Sequence, residues 1–113
     1  MLKRPAENKD PLYVLLRENK IKEFNTYKAA GKTPDLREAD LRGLDLRGMD
    51  VAGLDMSNCY LRQADLRGID FSQAKIEGVS INSAKISGCL FPKELTAEEI
   101  TLSLLHGTRL RYK

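Results

Sequence analysis

The stretch EADLRGLDLRGMDVAGLD, residues 38–55, decides the fold. Its apolar residues recur every five positions, at Leu41, Leu46 and Val51, and an aspartate precedes each. An α-helix cannot use this beat. At about 100° per residue, a five-residue step leaves successive apolar side chains about 140° apart around the axis. A straight strand fails as well, because an odd step flips a side chain to the opposite face.

Extended in both directions, the register runs from Leu36 through Leu61, Leu66, Phe71, Ile76, Ile81 and Ile86 to Phe91, twelve consecutive pentads. The column two residues before each centre is also apolar, from Pro34 and Ala39 to Ala84 and Cys89. The other three columns are mostly polar. The pattern is consistent only if the chain bends after each pentad. Every short extended piece then points two side chains inward, and a corner resets the phase. Glycine or asparagine two residues after the centre, as at Gly43, Gly48, Gly53 and Asn58, suits such corners because both tolerate positive φ. Four corners close a square of twenty residues, so residues 34–93 supply three stacked coils. At about 4.8 Å per layer these make a tower about 15 Å tall, near the minimum for a continuous repeat core.

These repeats resemble the pentapeptide-repeat family, whose motif is A(D/N)LXX. The resemblance implies a mainly β fold, a right-handed quadrilateral β-helix. It also implies a scaffold without catalytic residues. Two departures stand out. Leu44, Met49, Leu54 and Ile69 occupy positions usually held by small residues, which predicts a wider or locally distorted interior. After Phe71 the aspartate column becomes Lys75, Ser80, Lys85 and Leu90, so the last coil is degenerate.

The flanks read as covers for the two raw ends of the stack, within one structural domain: residues 1–33 as an N-terminal helical cap, 34–93 as the repeat body, and 94–113 as a C-terminal helix and tail. Asp10 can cap a helix with Pro11 at its first position. Leu12, Leu15, Leu16, Phe24 and Tyr27 give that cap an apolar surface, and Gly31 ends it. Asn19 is the point at which it can divide, and the sequence leaves open one helix or two. In TAEEITLSLLHG, residues 96–107, Thr96 and Glu99 have capping-box spacing, and Ile100, Leu104 and Leu105 share a face. The plainer reading is a cap folded back on the last coil. The sharper one adds a homodimer contact through Leu102, Leu105, Leu110 and Tyr112, as the resemblance implies for tail-to-tail relatives.

The net charge of +3 comes from residues 1–33, since residues 34–93 net −1 and the remainder balance. No aromatic residues interleave with clustered Lys/Arg, so composition does not favour nucleic acid. MLKRPAENKD, residues 1–10, lacks the apolar run of a signal peptide, and no segment approaches a membrane span. With Cys59 and Cys89 outside any CxxC pair, the expectation is a cytoplasmic protein with reduced thiols in its core. The lone His106 reads as a helix-end residue. No metal, cofactor or catalytic constellation can be assembled, so the chain reads as no enzyme.

Residues twenty apart should stack into outer faces. On the third face Asp45 and Asp65 lie beside Arg47 and Arg67, a self-neutralising lattice. On the second, Tyr60 replaces an aspartate and should project between Arg42 and Arg62. Tyr and Arg anchor interfaces, which marks Arg42, Tyr60 and Arg62 as candidate contacts for an unknown protein partner. The alternative is a DNA mimic acting on a topoisomerase such as gyrase, which the resemblance brings with it. Short length and the near-neutral repeats weigh against it.

Overall fold

The computed structural model describes residues 10–113. Residues 1–9, which hold Lys3, Arg4 and Lys9 of the basic segment, lie outside the described residues, as does most of the stretch read as no signal peptide.

Among the described residues there are three helices, α1 (Pro11–Arg17), α2 (Ile21–Ala29) and α3 (Ala97–His106). Asp10 caps α1 by accepting from the Leu12 N–H at 2.8 Å, and Pro11 sits in the first turn. Asn19, at φ 60, divides the N-terminal segment, so it forms a helix pair rather than one helix. Leu12, Leu16 and Phe24 are buried under it, while Tyr27, assigned to the same apolar surface, is exposed.

Between α2 and α3 the backbone turns at each pentad. The carbonyl of each centre from Leu36 to Ile86 accepts from the N–H three residues on, as in Leu44 N–H to Leu41 O and Ala64 N–H to Leu61 O. The third residue of these turns carries positive φ, at Gly43, Gly48 and Gly53 but also at Glu38, Gln63 and Ser83, which is the type II pattern. The corner after Phe71 differs, because Gln73 is not among the positive-φ residues.

The chain returns alongside itself every twenty residues. Parallel bridges join Asp40 to Tyr60 and Tyr60 to Ser80, Asp45 to Asp65 and Asp65 to Lys85, Asp55 to Lys75, and Asp70 to Leu90. These are isolated bridges, and no longer strand is present among the described residues. Each side holds only a few extended residues before its corner, so a ladder has room for a single rung. Hydrogen bonds run both ways across five of the six rungs, for example Leu41 N–H to Tyr60 O and Tyr60 N–H to Ala39 O, both at 2.9 Å.

Asp50 and Asp70 lack the equivalent bridge. Behind them stack Met49 and Ile69, two large side chains in a column where every other stacked pair includes a proline, alanine, valine or cysteine. That crowding is the steric reason we assign to the gap, and it matches the distortion expected from the large residues.

Both apolar columns are buried from Pro34 through Ala84, with Leu44 half-buried. Ile86, Cys89 and Phe91 are only half-buried. The C-terminal cover explains the difference. Its hydrogen bonds reach residues 76–83 of the last circuit, at Ile76, Gly78, Val79, Ile81 and Ser83, and stop before residue 86.

That cover differs in detail from the sequence expectation. Ser103, Ile100 and Leu104 face the core, and Ser103 is fully buried with its hydroxyl accepting from Ile81 N–H. Leu105, expected on that face, is 65% exposed. Thr96 caps α3 through Glu99 N–H, but the Glu99 carboxylate turns to Arg111. Leu110, expected as a dimer contact, is fully buried, because the tail doubles back and pairs with the last circuit through Gly78 N–H to Leu110 O and Leu110 N–H to Val79 O. Tyr112 is half-buried and its hydroxyl accepts from Ile76 N–H. Of the four residues expected at a dimer contact, Leu102 and Leu105 remain on the surface.

Candidate interaction face

The second face is built from one side of each circuit plus Tyr13 and Arg17 of α1 and Arg109 of the tail. The bridged column Asp40, Tyr60 and Ser80 runs along it. The turn residues Arg42, Arg62 and Asn82 flank this column.

In the first circuit Asp40 and Arg42 form a closed pair. Arg42 donates from Nε and Nη2 to the two carboxylate oxygens at 2.8 and 2.9 Å, and its backbone N–H adds a third bond. The Arg42 guanidinium holds the Asp40 carboxyl below its ordinary range against a smaller opposing effect of burial. From α1, the Tyr13 hydroxyl donates to Asp40 O at 2.9 Å, and Arg17 reaches the same carbonyl at 3.4 Å. Burial raises the Tyr13 hydroxyl above its ordinary value.

In the second circuit the aspartate is absent. Tyr60 is half-buried, and two guanidinium groups lie over its ring, Arg42 at 5.9 Å and Arg109 at 5.7 Å. Both fall within cation–π range. Arg62 instead turns along the face and donates to Asn82 Oδ1 at 3.1 Å. The expected trio is thus brought together on one face, but the second partner of the ring is Arg109. Arg109 also donates to Gly78 O at 2.9 Å. It was missed because it lies outside the repeat register, and only the return path of the tail brings it here.

The third face behaves as its sequence implies. Arg47 and Arg67 each hold their own aspartate through Nε and Nη2 at 2.8–2.9 Å, and Arg47 also reaches Asp65 of the next circuit at 3.4 Å. Arg67 first, and Arg47 less, draw the Asp65 carboxyl down to about 2.

Both cysteines are free thiols. Burial pushes Cys59 up to about 12, far from a reactive thiolate. Cys89 donates to Leu66 O at 2.9 Å. His106 closes α3 in its last turn, next to the left-handed Gly107. Among the described residues, no group of three or more His, Cys, Asp or Glu is placed to hold a metal, and no helix is long and apolar enough to cross a membrane.

Residues 55–91 match the family model for pentapeptide repeats, in eight copies. No curated protein and no solved structure matches the chain. The matched repeats carry the same five-residue register that the bridges and buried columns follow, so residues 55–91 are identified as a run of pentapeptide repeats.

Proposed function

We propose that the chain is a non-enzymatic protein-interaction scaffold, a right-handed quadrilateral β-helix of three coils closed by α1–α2 at one end and α3 with its tail at the other. The twenty-residue return of the backbone and the helices at its two ends support that architecture and the three-part division of a single domain. The observation that carries the functional reading is the Tyr60 ring with the Arg42 and Arg109 guanidinium groups over it on the second face. An aromatic ring fixed by its neighbours loses little entropy on binding, and Tyr and Arg are the residues that concentrate interface energy. Free thiols, Cys59 buried and Cys89 half-buried, support a reducing compartment, the cytoplasm.

Pull-down with the wild type and with Tyr60→Ala plus Arg62→Ala tests this reading. Loss of one partner with the variant is the expected result. Identical partners for both remove the second face from consideration.

A homodimer is the second reading. Leu102 and Leu105 on α3 are 39% and 65% exposed and favour it. Light scattering of the wild type and of Leu105→Ser decides it, with a monomeric wild type ending the idea.

A further inference from the structure

The arginines at the corners of the pentads pair with an aspartate two residues earlier, and Arg62 departs from that rule. Arg42, Arg47 and Arg67 each stand two residues after an aspartate and grip it with Nε and Nη2. Arg111 grips Glu99 in the same way, at 3.2 and 3.0 Å. The guanidinium fork matches the two oxygens of a carboxylate, and such paired charge-assisted bonds are the strong ones. Arg62 also stands two residues after the bridged position of its pentad, but that position is Tyr60. Among the described residues its guanidinium bonds only a neutral acceptor, Asn82 Oδ1, and that of Arg109, which lies over Tyr60, donates only to the neutral Gly78 O. Each guanidinium carries five N–H donors, so most of both forks is unused. Arg17 of α1 and Arg42 of the first circuit add charge, and among the described residues Asp40 is the one carboxylate bonded to this group.

We propose that Arg62 and Arg109 form a receptor site for an aspartate or glutamate side chain of a partner protein, within an acidic segment that lies along the second face. The partner's carboxylate takes the role that the repeat's own aspartate takes one face further on, and Tyr60 forms the floor between the two forks. Single-stranded nucleic acid is the weaker match. It needs open aromatic surface for base stacking, and the Tyr60 ring already lies against two guanidinium groups. The proposal rests on the second face being the contact surface and adds the chemistry of what it contacts.

Fluorescence anisotropy with a labelled hexaglutamate peptide tests it, using hexalysine and a short oligothymidine as comparison probes on the full chain. Hexaglutamate is expected to bind in a salt-sensitive manner. Arg62→Gln is expected to weaken it about tenfold, the loss of a charge-assisted pair, and Arg62→Lys to recover it only in part. Arg67→Gln on the third face should leave it unchanged.

Tyr60→Asp is the decisive variant. It restores the repeat's own carboxylate, keeps the fold by the same geometry as Asp40 and Asp65, and should abolish peptide binding. Tighter binding of the oligothymidine, equal loss with Arg67→Gln, or full binding by Tyr60→Asp each overturns the proposal. If the partner captured by pull-down is lost with Tyr60→Ala yet retained by Arg62→Gln, the face stands as a contact surface and the carboxylate receptor falls.

Discussion

The side-chain amide of Asn25 stands where a neighbouring strand would stand for Asp50. Its Nδ2 donates to Gly48 O at 2.8 Å and its Oδ1 accepts from Asp50 N–H at 2.9 Å. One carboxamide, presented by α2, thus replaces a peptide unit on the open edge of the first circuit. Lys28, one turn further along α2, adds an ion pair to Asp50 at 3.2 Å. An unpaired edge invites pairing with another chain, and this contact occupies it. Asn25→Ala is expected to cost about 1 kcal/mol, the ordinary net worth of such bonds at a partly hydrated site. Asn25→Asp should cost more, because it keeps the acceptor, loses the donor and sets a second negative charge beside Asp50. Urea unfolding followed by circular dichroism measures both, and an unchanged midpoint for Asn25→Ala would show the edge is held by other contacts.

Gln63 and Ser83 occupy corners with φ 61 and φ 59. Both are exposed, and among the described residues neither side chain has a hydrogen-bond partner. A side chain in the left-handed region costs about 1 kcal/mol or more, which glycine avoids while adding entropy to the unfolded chain. Gln63→Gly and Ser83→Gly should therefore each stabilise by about 0.5 kcal/mol, read as a rise in Tm. Gly78 is the opposite case. A β-carbon there would lie 1.9 Å from Asn58 Oδ1, so Gly78→Ala must displace that side chain as well as strain the turn. A gain in Tm for Gly78→Ala would refute the account of these corners.

How much of this was legible in sequence differs by element. The inward columns could be read because each pentad repeats the same decision, and a wrong phase would have failed at many positions at once. The division of the N-terminal cap at Asn19 was readable as a choice but not settled, since Asn is common both at helix ends and inside polar helix faces. The face of α3 was misassigned because a single short helix offers several apolar stripes. What selects Ile100, Ser103 and Leu104 is the last circuit, where Ser103 has an N–H to accept from at Ile81. A polar residue in the core contact was invisible to a count of apolar residues. Arg109 and Leu110 had no local signal at all, as their partners Tyr60 and Val79 lie far back in the chain.

Leu61 is a fully enclosed centre of the middle circuit, and Leu90 is 58% exposed on the last. Leu61→Ala leaves a cavity bounded by circuits above and below and should cost about 3 kcal/mol, within the range for buried leucines. Leu90→Ala should lie within about 0.5 kcal/mol of the wild type, as surface changes do. Chemical denaturation separates the two, and equal effects would mean the repeat phase is wrong.

Acid should unfold the protein through its outer lattice. Asp65 is drawn from an ordinary value of 3.8 to about 2, chiefly by Arg67. Asp40, Asp45, Asp70 and Glu99 are lowered too, by Arg42, Arg47, Ser72 and Arg111 respectively. A carboxylate with a depressed folded pKa contributes stability above its unfolded value and loses it as pH falls through the folded one. The sign is therefore a loss on acidification, with the window for Asp65 lying between 3.8 and about 2. Urea midpoints should hold steady near neutral pH and fall below about pH 4. Arg67→Gln should flatten that fall, and an unchanged pH profile in this variant would remove Asp65 from the account.

The tail is the last element whose role can be tested by itself. Leu110 is fully buried, and its N–H and carbonyl both pair with the last circuit, at 2.8 and 2.7 Å. It thus extends the stack by one short strand-like piece, and the bidentate Arg111–Glu99 pair ties that piece to α3. The ion pair is at the surface and contributes little, so the apolar side chain carries most of the docking. Leu110→Ala should cost about 2–3 kcal/mol, whereas Glu99→Gln should cost about 0.5 kcal/mol or less. Leu110→Pro removes the N–H bonded to Val79 as well and should release the tail, taking Arg109 away from Tyr60. Amide exchange at Gly78, whose N–H is held only by the Leu110 carbonyl, reports that release directly. If Gly78 stays protected in Leu110→Pro, the tail does not close the end of the stack, and Arg109 owes its place over Tyr60 to its bond with Gly78 O alone.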